Sequence, residues 1–357
     1  MQAPLSRRSF LCAAAAAGAT GCKVPRASFD DVPGSKPWHT ANSANPTAAR
    51  QLQDLLETLD TTALVVAHRG RLIHQHGDTQ KLSYLASARK SLISMLYGPA
   101  IERGEINADA TLESIGFDDL GGLLPIECRA TIRNLLTARS GVYHPAANLG
   151  DASDRAPPRG SVEPGQYFLY NNWDFNALGS IYEKLTGRGV YSAFSADIAR
   201  PIGCEDWDEK LHATMIRNDT GASKYPAHHF VLSTRDMARI GQLMLQRGQW
   251  GSAQVIPQRW TSRTTSLVTP ATEVARTSPF VDGLGYGYLW WIFDPAGPWP
   301  RAMHGGYTAS GAMGQFITVV PTLELVIAHK TMAPGQLNVP PERYFGAVVP
   351  AALALVG

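Results

Sequence analysis

The sequence predicts an α+β protein whose single antiparallel sheet is built from both chain ends, with flanking helices and a helical lobe inserted between the two sheet segments. Strand-like patterns cluster near the two ends, at 62–77 and again from 286 to 329. The long stretch between them reads as helices and irregular segments. The 357 residues are 44% hydrophobic and 17% charged, which supplies a substantial core and rules out disorder as the main state. One sheet made from the two ends, with the middle inserted, is the economical assembly.

In chain order, the first segment is an address. Arg7-Arg8 precedes a short apolar stretch from Phe10 to about Ala19, and small residues follow. That is the layout of a secretory signal, too short to span a bilayer. Ser6-Arg7-Arg8-Ser9-Phe10-Leu11 fits a twin-arginine signal, so residues 1–21 are read as removed and export to the periplasm is expected. Ala19-Thr20-Gly21-Cys22 resembles a lipoprotein cleavage box in which Cys22 is acylated. Ala19 stands where such boxes usually have Leu, and cleavage at another small residue is the alternative. Any membrane attachment would run through that lipid. Residues 22–47 are Pro-, Ser- and Asn-rich without apolar period, as in a tether, and the folded domain occupies 48–357. Past Cys22 only Cys128 and Cys204 remain, read as two buried free thiols.

Within the domain, Leu52, Leu55, Leu56 and Leu59 recur at i, i+3, i+4 and i+7, one apolar stripe of a helix that begins near Pro46. Residues 62–77 read as a hairpin: Ala63-Leu64-Val65-Val66-Ala67 leads into Arg69-Gly70, and Arg71-Leu72-Ile73-His74 returns. Helices are expected over 87–104, 131–137, 173–186 and 234–247, the last two stopped by Gly187 and Gly248. Strands return at 286–293, 315–320 and 324–329. The sheet lobe then covers about 48–86 and 275–357, and the helical lobe about 87–274.

Thirty-two Lys and Arg against thirty Asp and Glu leave a formal charge of +2, which gives no electrostatic reason to expect nucleic acid. There is no HExxH, CxxC, GxxxxGK[ST] or GxSxG. Gly283-Leu284-Gly285-Tyr286-Gly287 opens a strand pattern, so a dinucleotide loop is excluded. The pairs His74/His76 and His228/His229 lack a carboxylate or Cys at metal-ligand spacing. No cofactor is called for.

What remains is Ser87-Ala88-Arg89-Lys90 at the start of a helix. A Ser–Lys pair at i, i+3 shares one helical face, so the amine can reach the hydroxyl. Free Ser is a poor nucleophile until a base takes its proton. Lys serves as that base only if burial or nearby cations bring its pKa down from ~10.4. The free N–H groups of the helix N-terminus suit an oxyanion beside Ser87. Tyr170-Asn171-Asn172 follows, just before a helix, as a Y-x-N. Near the C-terminal strands comes the Gly-rich stretch His304-Gly305-Gly306-Tyr307-Thr308-Ala309-Ser310-Gly311-Ala312-Met313-Gly314-Gln315.

SxxK, YxN and a Gly-rich approach to a strand, in that order, resemble the serine β-lactamase and penicillin-recognising superfamily. The nearest branch is that of class C β-lactamases, DD-peptidases and related esterases and amidases. Residues 130–141, 170–179 and 285–291 look like segments of the same family, and the likeness covers about 48–355. It implies a β-lactamase/transpeptidase-like fold and a role for each matching position. Ser87 would be the acylated nucleophile and Lys90 its base. Tyr170 would pass a proton to the leaving group, its hydroxyl made more acidic by a charged Lys90. Asn172 would bind a substrate amide or carbonyl.

The second oxyanion donor, beside the Ser87 N–H, depends on the third motif. His304-Gly305-Gly306 fits the H-x-G of close relatives literally, but counted back from Pro321 it lies too far from the strand. Ser310-Gly311-Ala312-Met313-Gly314-Gln315 fits that spacing better and looks like the corresponding stretch of 6-aminohexanoate-dimer hydrolase and family VIII esterases. On this placement the Ala312 N–H is the second donor, Gly311 lets the backbone approach the substrate closely, and His304 sits only near the pocket. No Lys or Arg then stands where β-lactamases hold the drug's carboxylate, which argues against efficient β-lactam turnover. Asp118, Asp119 and Arg139 are read as solvated surface charges. The stretches 140–165 and 205–230, expected to wall the pocket, show no chemistry.

The implied function is a serine hydrolase acting through an acyl-enzyme on a small-molecule ester or amide, or on a peptide, without a metal or other cofactor. The alternative is a β-lactamase or DD-peptidase, or a penicillin-binding protein that deacylates slowly.

Overall fold

The computed structural model describes residues 38–277, 282–332 and 338–357. The twin-arginine-like segment, Cys22 and the first part of the tether lie outside the described residues. Seven strands form one antiparallel sheet: β1 (Ala63–His68), β2 (Arg71–Gly77), β3 (Leu284–Tyr286), β4 (Trp291–Phe293), β5 (Tyr307–Gly311), β6 (Gln315–Val320) and β7 (Leu325–Lys330). Their order across the sheet is β2-β1-β7-β6-β5-β4-β3. The two chain ends meet where β1 pairs with β7, Ala63 opposite Lys330 and Val65 opposite Ala328.

Four helices position the sheet and the site: α1 (Pro46–Glu57), α2 (Arg89–Glu102), α3 (Asn172–Thr186) and α4 (Thr234–Leu245). Helix α1 starts where the Asn45 side chain accepts the Ala48 N–H, with Pro46 in the first turn, where a missing donor is harmless. It packs on the helical run 341–353 near the C-terminus. Helix α4, capped by Ser233, lies across β1, β6 and β7. Aromatic packing also reaches the sheet from the C-terminal run, where Tyr344 stacks on Phe316 with ring centroids 4.0 Å apart. Coverage of this kind makes β1, β6 and β7 continuous apolar runs rather than alternating ones.

Two departures from expectation concern strands. The segment 286–293 is not one strand but the hairpin β3–β4, with Leu289 turned back at φ +63 between them. Its turn is hard to see because Tyr288 and Leu289 are themselves buried, so turn residues carry the apolar character of strand residues. The Gly-rich approach to β6 is likewise more than a lead-in, because its middle is β5, paired with β6 from Tyr307 to Gly311.

Between β2 and β3 the chain is mainly helical. Helix α2 is buried from Arg89 through Ala100, which places the SxxK segment in the interior. It packs on α3, which ends at Gly187 in the left-handed region, φ +67, that glycine adopts without steric cost. Cys128 and Cys204 are free, and each is half-buried instead of fully buried as expected.

Candidate active site

Ser87 is delivered by a short ribbon. Ser83–Tyr84 pairs antiparallel with Val231–Leu232, and the Leu85 N–H donates to Phe230 O at 2.9 Å. Lys330, reaching from β7, donates from Nζ to both Ser83 O and Leu232 O and so ties the ribbon to the main sheet. Ala86 then takes φ +47, a left-handed conformation unusual for a non-glycine residue. A single 3-10 turn, Ala86–Ala88, leads into α2. Ser87 thereby stands half-buried in the first turn, where backbone N–H groups lack intrahelical acceptors.

Lys90 Nζ lies 3.1 Å from Ser87 Oγ and 2.8 Å from Tyr170 OH. The amine is buried, with the Tyr170 and Phe175 ring centroids 4.0 and 4.4 Å away. Burial holds Lys90 well below the ordinary lysine range, the neighbouring Arg89 charge adds to this, and Asp151 opposes it. Arg89 is itself buried; its Nη2 donates to Asn176 Oδ1 at 2.9 Å, and its Nη1 has no protein partner among the described residues. Lys90 is therefore placed and tuned to be a neutral amine able to accept the Ser87 proton. Tyr170 departs from expectation. Burial pushes its hydroxyl above the usual phenol range, with the Ser87 hydrogen bond and the Arg89 charge pulling back less strongly. Lys90 is not among the groups that pull the phenol down, so Tyr170 stays protonated and can donate.

The turn after β5 faces this pair. A Cβ on Gly311 would stand 2.3 Å from Leu85 O and 3.0 Å from Ala88 N. A close approach that requires glycine is thus the one between β5 and the loop that carries Ser87. Ala312 is exposed in the turn, and its N–H donates to no backbone carbonyl among the described residues. Behind the turn, His329 on β7 donates from Nδ1 to Gly314 O at 2.7 Å and accepts at Nε2 from the Thr61 hydroxyl at 2.9 Å. Burial lowers this imidazole to about 4, so it is neutral and its tautomer is set by those two partners.

Other expected residues stand elsewhere. His304 precedes β5, at the opposite end of the strand from Gly311, and its Nε2 is 3.0 Å from Trp299 O. It is not brought to Ser87, because the strand itself separates them. Asn172 opens α3, but its side-chain nitrogen donates to Leu149 O at 3.0 Å and its backbone N–H to Asp151 Oδ2 at 2.7 Å. That nitrogen is engaged by the 148–151 loop; Oδ1 is buried without a partner among the described residues.

Several acidic groups missed or misread in the sequence hold the surrounding loops. Asp119 is buried rather than solvated and accepts from Trp173 Nε1 at 2.7 Å, the Leu120 and Lys224 N–H groups at 2.7 and 2.8 Å, and the Ser223 hydroxyl. Arg139 is half-buried and clamps Gly165 O and Glu273 Oε1 at 2.9 and 2.6 Å. Asp174, buried within α3, accepts from Ser140 Oγ at 2.6 Å, and burial raises its carboxyl well above the usual range. Asp118 alone of the three charges read as surface groups is exposed. No sequence signal marks Asp151 or Asp119, since each sits in a polar loop that looks like any solvated turn. Among the described residues no group of three His, Cys, Asp or Glu is placed to hold a metal ion. A cavity of about 800 Å³ lined by Ser195, Arg200, Trp207 and Lys210 lies apart from Ser87 and contains none of these residues.

The sheet order, the inserted helical segment and the nucleophile loop beside β5 together define the β-lactamase fold. The chain belongs to the Beta-lactamase family, whose profile matches residues 48–335. It is 30% identical over 158 residues to the monacolin J acid methylbutanoyltransferase of Aspergillus terreus, an alignment spanning 36% of this chain and only 38% of that protein's length. A Bacillus anthracis structure assigned as a 6-aminohexanoate-dimer hydrolase superposes with a TM-score of 0.63 at 19% identity, covering 90% of this chain and 87% of that one. EstCE1, a hydrolase with promiscuous acyltransferase activity, superposes with a TM-score of 0.61 at 16% identity, covering 87% and 98%. At these identities the two structures show a shared fold.

Proposed function

We propose that the protein is a serine hydrolase that cleaves an ester or amide through an acyl-enzyme. The observation that carries this reading is the contact of Ser87 Oγ, Lys90 Nζ and Tyr170 OH in a site where burial favours a neutral lysine. Ser87 gives its proton to Lys90 as the Oγ–C bond forms. The Ser87 and Ala312 N–H groups meet the negative charge on the carbonyl oxygen. Tyr170 protonates the leaving oxygen or nitrogen as its bond to carbon breaks, and takes a replacement proton from the Lys90 ammonium. Water then adds to the acyl-enzyme, with the proton transfers reversed, and Ser87 Oγ leaves with its proton restored.

The names of the relatives, a hydrolase and two proteins described by acyl transfer, are in keeping with movement of an acyl group. Ser310 to Gln315 includes no cationic side chain, which favours esters and amides over a carboxylate-bearing β-lactam. The Arg7-Arg8 segment extends the proposal to an exported protein, with Cys22 as the site of any lipid anchor.

Time-resolved intact-mass measurement tests this reading with a p-nitrophenyl ester, a cephalosporin and an amide oligomer, on the natural protein and on Ser87→Ala. Rapid ester turnover with a transient adduct, lost in the variant, is the expected result. A persistent cephalosporin adduct without ester turnover would replace it with a penicillin-binding protein. No adduct with any probe would remove Ser87 as nucleophile.

A further inference from the structure

The 205–230 wall carries a side chain that the steps above do not use. His229 follows the short strand Ala227–His228 and precedes Phe230, whose carbonyl accepts from Leu85 two residues before Ser87. Its position is fixed on three sides. The His229 N–H donates to Met215 O at 3.0 Å, its carbonyl accepts from Tyr191 OH at 2.8 Å, and its Nδ1 lies 2.9 Å from Tyr84 OH. The Tyr84 and His229 rings are 5.0 Å apart. Tyr84 itself stands three residues before the nucleophile.

The protonation state follows from the surroundings. Arg89 and Lys90 on α2, Arg217 at the end of the 216–217 strand, and His228 beside it all act on His229. With burial they lower it to about 3, so the ring is neutral and bears one N–H. A phenol donates to an imidazole nitrogen more readily than it accepts from an imidazole N–H, so Tyr84 OH donates to Nδ1 and the proton sits on Nε2. That Nε2 has no hydrogen-bond partner among the described residues, yet it is not sealed from open space as both ring nitrogens of His228 are. The result is a rigid donor held against the ribbon that delivers Ser87, with its orientation set before any substrate arrives.

We propose that His229, oriented by Tyr84, is a specificity residue of this site: its Nε2–H donates to a carbonyl oxygen on the acyl part of the substrate, so acyl groups carrying an amide or ester carbonyl are preferred over plain alkyl chains. The proposal deepens the acyl-enzyme reading and rests on it. A donor-only tip beside the Arg89 charge disfavours cationic groups. Burial raises the Tyr84 phenol, Arg89 and Arg217 pull it back and Asp219 adds to the rise, so an electron-rich acceptor is favoured at this rim. A neutral carbonyl matches it.

The test uses the p-nitrophenyl esters of N-acetylglycine and N-acetyl-β-alanine against the pentanoate and hexanoate of equal chain length. The natural protein is compared with His229→Phe, which keeps a ring but loses the donor, and with His229→Gln, which keeps an N–H. The expected result is a natural preference for at least one amide ester, read as a ratio of kcat/KM values. That ratio falls about five- to tenfold in His229→Phe, mainly through KM, and recovers partly in His229→Gln. A natural protein without the preference, or a ratio unchanged in both variants, overturns the proposal. Ser87→Ala is run beside them: turnover that survives it overturns the acyl-enzyme reading itself, a result distinct from an unchanged ratio in a protein whose turnover needs Ser87.

Discussion

The sheet half and the helical half of this molecule are held by different physics. In β1, β6 and β7 the backbone groups satisfy one another across the ladder, and the side chains are nearly all buried and mostly apolar. Regular pairing fixes such strands almost regardless of which aliphatic side chain occupies a position. The helical half has many irregular loops, whose backbone donors must find acceptors elsewhere. Buried carboxylates supply them: Asp119 gathers the 118–120 and 223–224 segments, Asp236 accepts from the Glu205 and Asp206 N–H groups, and Glu127 accepts from Leu124 and Arg159. The candidate site draws on both halves, taking Ser87, Lys90 and Tyr170 from the loop-rich one and the turn that faces them from the regular one.

The largest effect expected of a change in the helical half is chemical. Lys90→Ala removes the group placed to take the Ser87 proton and should slow acylation by about a thousandfold or more, with the fold retained. Rapid-quench mass spectrometry with circular dichroism measures both, and acylation within tenfold of the natural rate would mean that another base acts. Next comes the contrast in stability. Asp119→Ala strands the Trp173 indole N–H, the Ser223 hydroxyl and two backbone donors, and should cost about 3 kcal/mol. Ile317→Val removes one buried methyl from β6 and should cost about 1 kcal/mol. Urea unfolding gives both values, and equal costs would erase the distinction between the halves.

A change of pH sharpens the contrast from the sheet side, where His329 is a buried ionisable group. Its folded pKa of about 4 lies below the ordinary histidine value of ~6.5, so between those pH values the unfolded chain binds a proton that the folded chain refuses. Stability must therefore be lost as pH falls through that window, by about 2 kcal/mol from this residue by pH 5. His329→Gln should unfold with a shallower pH dependence than the natural protein between pH 7 and 5. An unchanged slope would mean that His329 is not held neutral.

This contrast also explains what was legible in the sequence. The α+β class, the strands around 315–320 and 325–330, and helices α1, α3 and α4 follow from periodicity and stop signals, which report local pairing and burial directly. The hairpin at 284–293 was hidden because its turn is as buried as its strands. Ser87, Lys90 and Tyr170 were marked by ordered spacing, and the structure brings them into contact. The acidity of Tyr170 was misjudged because it depends on how dry the site is, a property no motif encodes. Asp119 was misread for a related reason: whether a polar side chain meets solvent or a distant loop is decided by long-range packing, as when Asp119 meets Ser223 and Lys224.

The pairing of β7 with both β1 and β6 has a consequence for the order in which the protein becomes competent. During synthesis Ser87 and Lys90 leave the ribosome early, whereas Ala312, His329 and the strand that closes the sheet emerge near the end. Until β7 arrives, β1 and β6 each show an unpaired edge, and Lys330 is not yet there to brace the ribbon ahead of Ser87. A nascent chain thus carries Ser87 and Lys90 for most of its growth before the turn after β5 is made, and the last strand to be made is the one that braces the ribbon ahead of Ser87.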